Sequence, residues 1–473
     1  MLRIHQMPQG EAVSEDFHVI LNEEYHVMPY TARVSAIPFN QVWPGYQRPL
    51  EQTELSSFIY FTMNRDVRVH LIANKDFEEA VVRPLSKNIK PVKNGRNITF
   101  TIPEPGQYTV ELDGFHNALH IFANPDFNYD IPEDNIYKDK NIIYYGAGIH
   151  KPGKIELKSG QTLMIDEGAV VYGSVVAHNA DNIRIIGTGI LDNSEEEREN
   201  GNGCMKFFNC KNIEVKGIIC RDSVVWTATL FNCDNMLFDN MKTIGMWRYN
   251  SDGIDFVNSA NGIIQNCFLR NFDDVVVLKG LKGWDTRNVE NILVRKCVLW
   301  CDWGRALEIG AETCADEYRN ILFEDCDIIH GDCILMDFQN GDRAKVHDVR
   351  FENIRVEYNK YALPPVYQQS KEMEYKPDLS KCFVPLLFKA HLYCGMWSKD
   401  YLYGENSNIN IKNIYILADK EIPMPMSHFV GINAEHMTKN IVIDGLYFNG
   451  KRIESLEEGN IVCGEFTENI VLH

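Results

Sequence analysis

Asn182-Ile-Arg-Ile-Ile-Gly187 is answered 30 residues on by Asn212-Ile-Glu-Val-Lys-Gly217. Asn235-Met-Leu-Phe-Asp-Asn240, Asn261-Gly-Ile-Ile-Gln-Asn266, Asn291-Ile-Leu-Val-Arg-Lys296 and Asn320-Ile-Leu-Phe-Glu-Asp325 follow. The series ends with Asp348-Val-Arg-Phe-Glu-Asn353, Asn408-Ile-Asn-Ile-Lys-Asn413, Asn440-Ile-Val-Ile-Asp-Gly445 and Asn469-Ile-Val-Leu472. The steps are 30, 23, 26, 30, 29, 28, 60, 32 and 29 residues. A period of this size holding only short β-runs describes a solenoid whose turns are coils of strand. Residues two apart on a strand share a face, so Ile183, Ile185 and their counterparts are predicted to point into the stack. Asparagines at the corner are predicted to stack as a ladder from coil to coil.

The expected fold is therefore all-β: a right-handed parallel β-helix over residues 141–473, of roughly ten coils. A different rhythm precedes it. Ser57–Thr62, Val67–Ile72, Asn97–Ile102, Gln107–Leu112 and Ala118–Phe122 alternate apolar and polar residues, with Asn94-Gly95 and Pro103-Glu-Pro-Gly106 as turn signals. Residues 1–125 read as a small antiparallel β-sandwich, and residues 126–140, rich in Asp, Asn and Pro, as a linker. The 60-residue step holds an insertion, Lys360 to Tyr403, that carries Pro364-Pro365, Tyr361, Tyr367, Tyr375, Trp397 and Tyr401. It reads either as a groove wall or as plain packing.

Composition narrows the function. A formal charge of −19 and a pI near 5.2 oppose nucleic-acid and anionic-membrane partners, which need clustered Lys and Arg. Met1-Leu-Arg-Ile-His-Gln-Met-Pro8 has no apolar core, and no apolar run approaches the roughly 20 residues that span a bilayer. A soluble, unexported chain is expected. Of 13 cysteines, Cys210, Cys220, Cys233, Cys267, Cys297 and Cys326 lie inside strand-like runs rather than in paired motifs. Reduced, buried thiols and a cytoplasmic home follow. No HExxH, paired CxxC or GxGxxG context is present, so no metal or cofactor is expected.

The chemistry concentrates on neighbouring coils. Asn250-Ser-Asp-Gly-Ile-Asp255 is followed by Phe272-Asp-Asp-Val-Val-Val-Leu-Lys-Gly280, which sets Asp252 and Asp273 21 residues apart, about one shortened coil. Cleavage of a glycosidic bond needs one protonated and one ionised carboxyl group. Asp252, Asp273 and Asp274 cannot all ionise cheaply in such proximity, so one is predicted to keep its proton near neutral pH. An isolated Asp-Asp pair more often caps a turn. Here Gly304-Arg305-Ala-Leu-Glu308, Met336-Asp337-Phe-Gln339 and Arg221-Asp-Ser-Val-Val-Trp226 add polar and aromatic groups at coil spacing, the layout of a sugar-binding groove.

These motifs carry a family resemblance. Asn250-Ser-Asp252-Gly-Ile-Asp255 resembles the Asn-Thr-Asp-Gly motif of glycoside hydrolase family 28, the polygalacturonases. Asp273-Asp274 with Lys279-Gly280 resembles its Asp-Asp motif, and Asp222-Ser223 with Trp226 its Asn-Ser-Pro-x-Trp segment. The likeness covers about residues 140–345. A β-sandwich ending in Leu119-His-Ile-Phe-Ala-Asn-Pro125 is more similar to family 49, the dextranases and isopullulanases. The resemblance implies hydrolysis with inversion, with Asp273 as general acid and Asp252 with Asp274 holding and deprotonating water. Trp226, Asp255, Lys279, Arg305, Glu308, Asp337 and Gln339 are the candidate substrate-binding residues.

The sequence departs from family 28 in two places. Trp303-Gly304-Arg305-Ala306 stands where polygalacturonases have Gly-His-Gly, and Leu335-Met-Asp337 occupies the neighbourhood of their Arg-Ile-Lys. An acidic residue where a cation is needed disfavours galacturonate, so a neutral α-glucan or α-galactoside is the expected carbohydrate. Arg305 and Glu308 read as hydroxyl ligands, or as a structural ion pair. Two rival readings stay open: a β-helix lyase with Lys279 or Arg305 as base and Ca²⁺ on the aspartates, and a non-catalytic carbohydrate-binding solenoid.

Overall fold

The computed structural model describes the chain except for residues 39–48, 133–135, 367–372, 375, 377, 379 and 381. Why asparagine marks each repeat is now visible. Asn182, Asn212, Asn235, Asn261, Asn291, Asn320, Asp348, Asn408, Asn440 and Asn469 all sit in the left-handed region, with φ between 51° and 60°. Asn and Asp tolerate that conformation best among residues with a Cβ. The side-chain amides then form the ladder: Asn212 donates to Asn182 at 3.0 Å, Asn235 to Asn212 at 2.6 Å, Asn291 to Asn261 at 2.8 Å and Asn320 to Asn291 at 2.7 Å. The fourth residue of the series, Asn261, bonds Asp234 instead.

Each coil contributes strands to three faces that pair in parallel from Ile142 to Leu472, a right-handed parallel β-helix. Among the described residues, 12 strands stack at the asparagine edge. This is more than the ten coils expected, because Ile142–Tyr145 and Thr162–Ile165 build two coils ahead of the first asparagine. Gly160, with φ 76°, serves the corner before the second of them, so the sequence signal is missing there although the geometry is kept. Ile183, Ile185 and their counterparts fill the core, together with Cys210, Cys233, Cys267, Cys297 and Cys326. Those five thiols donate to the carbonyl two residues earlier, at 3.2–3.4 Å. All 13 cysteines are free, and the six singled out are buried.

The 60-residue step is one coil with a long excursion. Lys345–Tyr358 pairs directly with Glu405–Ala418 from Lys345↔Glu405 to Tyr358↔Ala418. The excursion returns one strand, Leu386–Leu392, to the stack beside Ile334–Asn340. Its Tyr361 hydroxyl bonds Glu79 of the N-terminal region at 3.2 Å, so this end packs on the sandwich rather than walling a groove. Trp397 is half-buried and Tyr401 exposed, while Tyr367 and Tyr375 lie outside the described residues.

The N-terminal region is a sandwich of two sheets. All five strand-like runs of the sequence are strands within Thr53–Met63, Val67–Ala73, Asn97–Ile102, Gly106–Leu112 and Ala118–Asn124. One pairing departs from the antiparallel expectation: Ala118–Asn124 runs parallel to Thr53–Met63. Tyr30, Phe58 and Phe122 of the sandwich pack on Ile190, Ile219, Phe268 and Trp300, which point outward from one face of the helix. A different face is left to carry the polar cluster. Among the described residues no helix is long and apolar enough to cross a membrane.

Candidate active site

The free face is built by Met205–Phe208, Ala228–Phe231, Ile254–Val257, Val276–Gly280, Arg305–Thr313, Ile334–Asn340, Leu386–Leu392 and Ser427–Val430, in parallel register. One register position runs Lys206, Thr229, Asp255, Val277, Glu308, Asp337, Lys389, His428. The flanking positions, such as Phe256, Leu278, Ile309 and Phe338, point into the core, so this column points out. Glu308, Asp337 and Gln339 are buried nonetheless, as the floor of a polar layer and not as members of the apolar core.

Lys279 is the hub of one half of that layer. Its Nζ lies 3.4 Å from Asp252, 3.8 Å from Asp255, 3.9 Å from Asp274 and 3.8 Å from Glu312, and stands 4.7 Å from the centre of the Trp226 ring. A register shift explains Glu312: the pairing slips between Leu278 and Gly280, so Arg305–Thr313 carries extra residues opposite Lys279. Arg305 is the second hub. It lies 3.6 Å from Asp274, 3.8 Å from Glu308 and 3.4 Å from Asp337, and donates to Gln339 Oε1 at 2.7 Å.

All ten residues named from the sequence are thereby in or beside one cluster; Asp273 joins it as the immediate neighbour of Asp274 on an irregular strand entrance. Val275 and Val276, consecutive residues, both enter the core, which breaks strict alternation and lets the two preceding aspartates stay at the polar layer. Gly304 permits the close approach of the next coil. A Cβ there would stand 2.5 Å from Asp274 Oδ1 and 2.6 Å from the Asp274 nitrogen. Asp222 turns to the side instead, accepting from Trp247 Nε1 at 2.9 Å and pairing with Arg248.

Burial and charge sort the carboxyl groups. Burial, reinforced by Asp252 and Asp274, holds Asp273 well above the usual carboxylate range. Burial also opposes ionisation of Asp274, but Arg305 and Lys279 outweigh it and hold this group below its ordinary value. Burial and the Asp274 charge push Asp252 up to about 7 against the pull of Lys279. Asp255 and Glu308 are driven well up by burial and neighbouring carboxylates, and Asp337 to about 6 by burial, tempered by Arg305 and Lys389. Asp255 and Asp337 keep both carboxyl oxygens buried without a hydrogen-bonding protein partner. Such acceptors, at the floor of an outward-facing layer, are suited to ligand hydroxyl donors.

Sequence reasoning missed Lys206, Lys389, His391, His428 and Glu312. Glu312 lies four residues beyond the Glu308 of a quoted motif, and only the register shift brings it to Lys279. Lys389 and His391 sit in what looked like an insertion, and no motif announces them. Among the described residues, Cys314, Asp342 and Asp400 form the group whose spacing suits a cation. Asp342 already accepts the backbone N–H groups of Thr313, Lys399 and Asp400, and Asp400 pairs with Arg343, so the trio braces a loop.

The fold is a right-handed parallel β-helix behind a β-sandwich, with this carboxylate-rich cluster on its free face. More particularly, residues 158–377 match the profile of "Glycosyl hydrolases family 28". The chain is 27% identical over 197 residues to the exopolygalacturonase clone GBGE184 of Arabidopsis thaliana, covering 37% of this chain and 43% of that protein. It is 24% identical over 206 residues to an exopolygalacturonase of Zea mays, covering 39% and 47%. The matched region thus spans less than half of these curated relatives. In fold, it is similar to Dex49A from Penicillium minioluteum over 99% of this chain and 96% of that one, at 13% identity and a TM-score of 0.62. A family 28 exopolygalacturonase of Yersinia enterocolitica is similar over 85% and 96%, at 13% identity and 0.51. Residues 158–377 of the helix are thus similar to family 28, and the arrangement of a sandwich ahead of a β-helix is shared in fold with Dex49A.

Proposed function

We propose that the chain is a glycoside hydrolase that cleaves an α-linked oligo- or polysaccharide with inversion. Asp273 is the general acid, and Asp252 with Asp274 hold and deprotonate the water. The feature that supports this reading is the opposite poise of two consecutive residues in one buried cluster: burial and the neighbouring aspartates push Asp273 well above the ordinary carboxylate range, while Arg305 and Lys279 hold Asp274 below it. Acid–base cleavage needs that difference. The family 28 match and the named relatives support the same class of reaction.

The lyase reading is disfavoured by the charge environment of its base. Burial works against the Lys279 ammonium, but four carboxylates raise its pKa well above the ordinary value, which makes it a poor proton acceptor. A purely binding groove is disfavoured by the carboxylate density around Lys279 and Arg305.

At the centre of the groove, Asp255, Glu308 and Asp337 favour the hydroxyls of a neutral sugar over a carboxylate. The relatives are named for galacturonan, which favours an acidic polymer somewhere along the chain. Thirteen free cysteines suit a reducing compartment, in line with a cytoplasmic enzyme. Hydrolysis of a panel of α-glucans, α-galactosides and galacturonans by purified protein tests the reading. Reducing ends released from at least one polymer, without unsaturated product, are expected; no cleavage of any, or unsaturated ends, would overturn it.

A further inference from the structure

We propose that the cleft between the β-sandwich and the β-helix is a second carbohydrate site, which holds a neutral oligosaccharide segment away from the carboxylate cluster. The choice of a carbohydrate rests on the hydrolase reading, although none of the cleft's residues belongs to that cluster. The cleft has a volume of about 740 Å³ and follows the second corner of five successive coils, at Asn240, Asn266, Lys296, Asp325 and Arg355. Four coil spacings make it roughly 19 Å long, room for several sugar units. Glu104 and Gln107 of the sandwich, with Phe127 just after it, form the opposite wall. Asn266 joins Ala260–Gln265 of the asparagine edge to Phe268–Asn271, whose Phe268 packs on the sandwich. The cleft therefore lies away from the free face that carries Asp252 and Asp273.

Two features of the walls point to a ligand. Gln107 is 4% exposed, and its Nε2 donates to the Asn266 carbonyl at 3.3 Å, while its Oε1 is buried without a hydrogen-bonding partner. A hydroxyl donor would complete that acceptor. The other feature is the middle corner. Asn240, Asn266, Lys296, Asp325 and Asn353 all have φ between 52° and 57°. Asparagine and aspartate tolerate this region, whereas lysine is strained in it. What the strain achieves is an exposed ammonium on the cleft wall that, among the described residues, makes no ion pair and no hydrogen bond. The neighbouring charges cancel in pairs: Arg355 donates to Asp327 at 2.7 and 2.8 Å, and Lys87 to Glu104 at 2.7 Å. Amides, cancelled charges and one ammonium with three donors recognise hydroxyl groups rather than a net charge. Phe127, half-buried, adds apolar surface for the face of a sugar ring. The floor is fixed in advance, because the buried Lys242 donates to Asn124 of the sandwich and to Asn240 of the helix.

The test uses the full chain carrying Asp273→Asn, so that ligand persists, and measures binding by calorimetry. The probes are neutral α-linked oligosaccharides of glucose and of galactose, and at least one of them should bind. Adding Lys296→Asn should weaken that binding by about tenfold or more, and Phe127→Ala likewise. Asparagine suits the corner better than lysine does, so Lys296→Asn removes the donor without unsettling the fold. Trp226→Ala, on the free face, should leave the binding in place. No binding of any probe, binding that Lys296→Asn and Phe127→Ala leave unchanged, or binding that Trp226→Ala abolishes overturns the site. Failure of the hydrolase reading shows separately, as wild-type protein that cleaves no polymer while the cleft still binds.

Discussion

The backbone N–H of Arg305 donates to Asp274 Oδ1 at 2.9 Å, from one coil to the next. The Arg305 guanidinium at 3.6 Å and the Lys279 ammonium at 3.9 Å hold Asp274 below its ordinary value against burial, and this bond adds to them. It exists because residue 304 has no side chain. Gly304→Ala would drive a Cβ against the Asp274 backbone, which cannot swing away. We expect a fall in kcat of about 100-fold, the scale of an ångström's misplacement of a reacting group, with a stability loss of about 1–3 kcal/mol. Steady-state kinetics and urea melts check both; wild-type kcat would remove Gly304 from the site's architecture.

The corner asparagines make two contributions that substitution can separate. Asn291 has φ 57°, donates to Asn261 and accepts from Asn320. Asn291→Gly keeps the backbone conformation and loses the ladder, at about 1–2 kcal/mol. Asn291→Ala loses the ladder and adds about 1–2 kcal/mol of left-handed strain. Urea midpoints for the two variants should therefore differ, with alanine the less stable. Equal midpoints would show that the ladder alone explains the asparagine.

These two cases show what was legible. The repeat was readable because corner geometry is written in one residue type, and the apolar alternation beside it, as in Ile183 and Ile185, fixes the core face. Where glycine took the corner, at Gly160, the coil of Thr162–Ile165 escaped notice. Asp252, Asp273 and Asp274 were readable because local motifs carry them. Lys389 and His391 were not, since their place depends on a strand that rejoins the stack after a long excursion, and side-chain register across coils is a tertiary fact. Glu312 depended on a register shift that no local pattern encodes.

Stability should fall as pH rises from 5 to 8. Unfolded carboxyl groups titrate near pH 4, whereas burial holds Asp252 to about 7, Asp337 to about 6 and Glu357 to about 7 in the native state. Between those values the native state binds more protons than the unfolded one, so the slope of stability against pH is negative. Asp274 and Glu111 have lowered values and act in the opposite sense: their contribution is present above pH 4 and is lost only as pH falls further, for Glu111 toward about 2. Buried His120, His330 and His391, whose values burial lowers (His391 to about 3), also oppose the slope below about pH 6.5, so the fall is steepest above that pH. Urea unfolding at pH 5 and pH 8 reads the slope, and Asp252→Asn should flatten it. A midpoint that climbs from pH 5 to pH 8 would show that these carboxyls are ionised in the native state.

The acid role of Asp273 can be isolated by the leaving group. Its carboxyl is protonated because burial and the charges of Asp252 and Asp274 disfavour a further anion. A proton so held is available to the departing glycosidic oxygen. Asp273→Asn removes it while keeping the shape, so hydrolysis of a natural saccharide should fall by several orders of magnitude. An activated aryl glycoside leaves without protonation and should lose much less. Equal losses on both substrates would take the acid role from Asp273. The stereochemistry follows from where water attacks: Asp252, one coil before Asp273, and Asp274, its immediate neighbour, share the Lys279 ammonium at 3.4 and 3.9 Å, which suits the two to hold a water as nucleophile. A carboxyl separation of about 6.5–9.5 Å across the bond leaves room for that water, and about 5–5.5 Å would not. NMR of the first-formed product should accordingly show the β-anomer from an α-linked substrate; the α-anomer would mean a covalent intermediate on one of these aspartates.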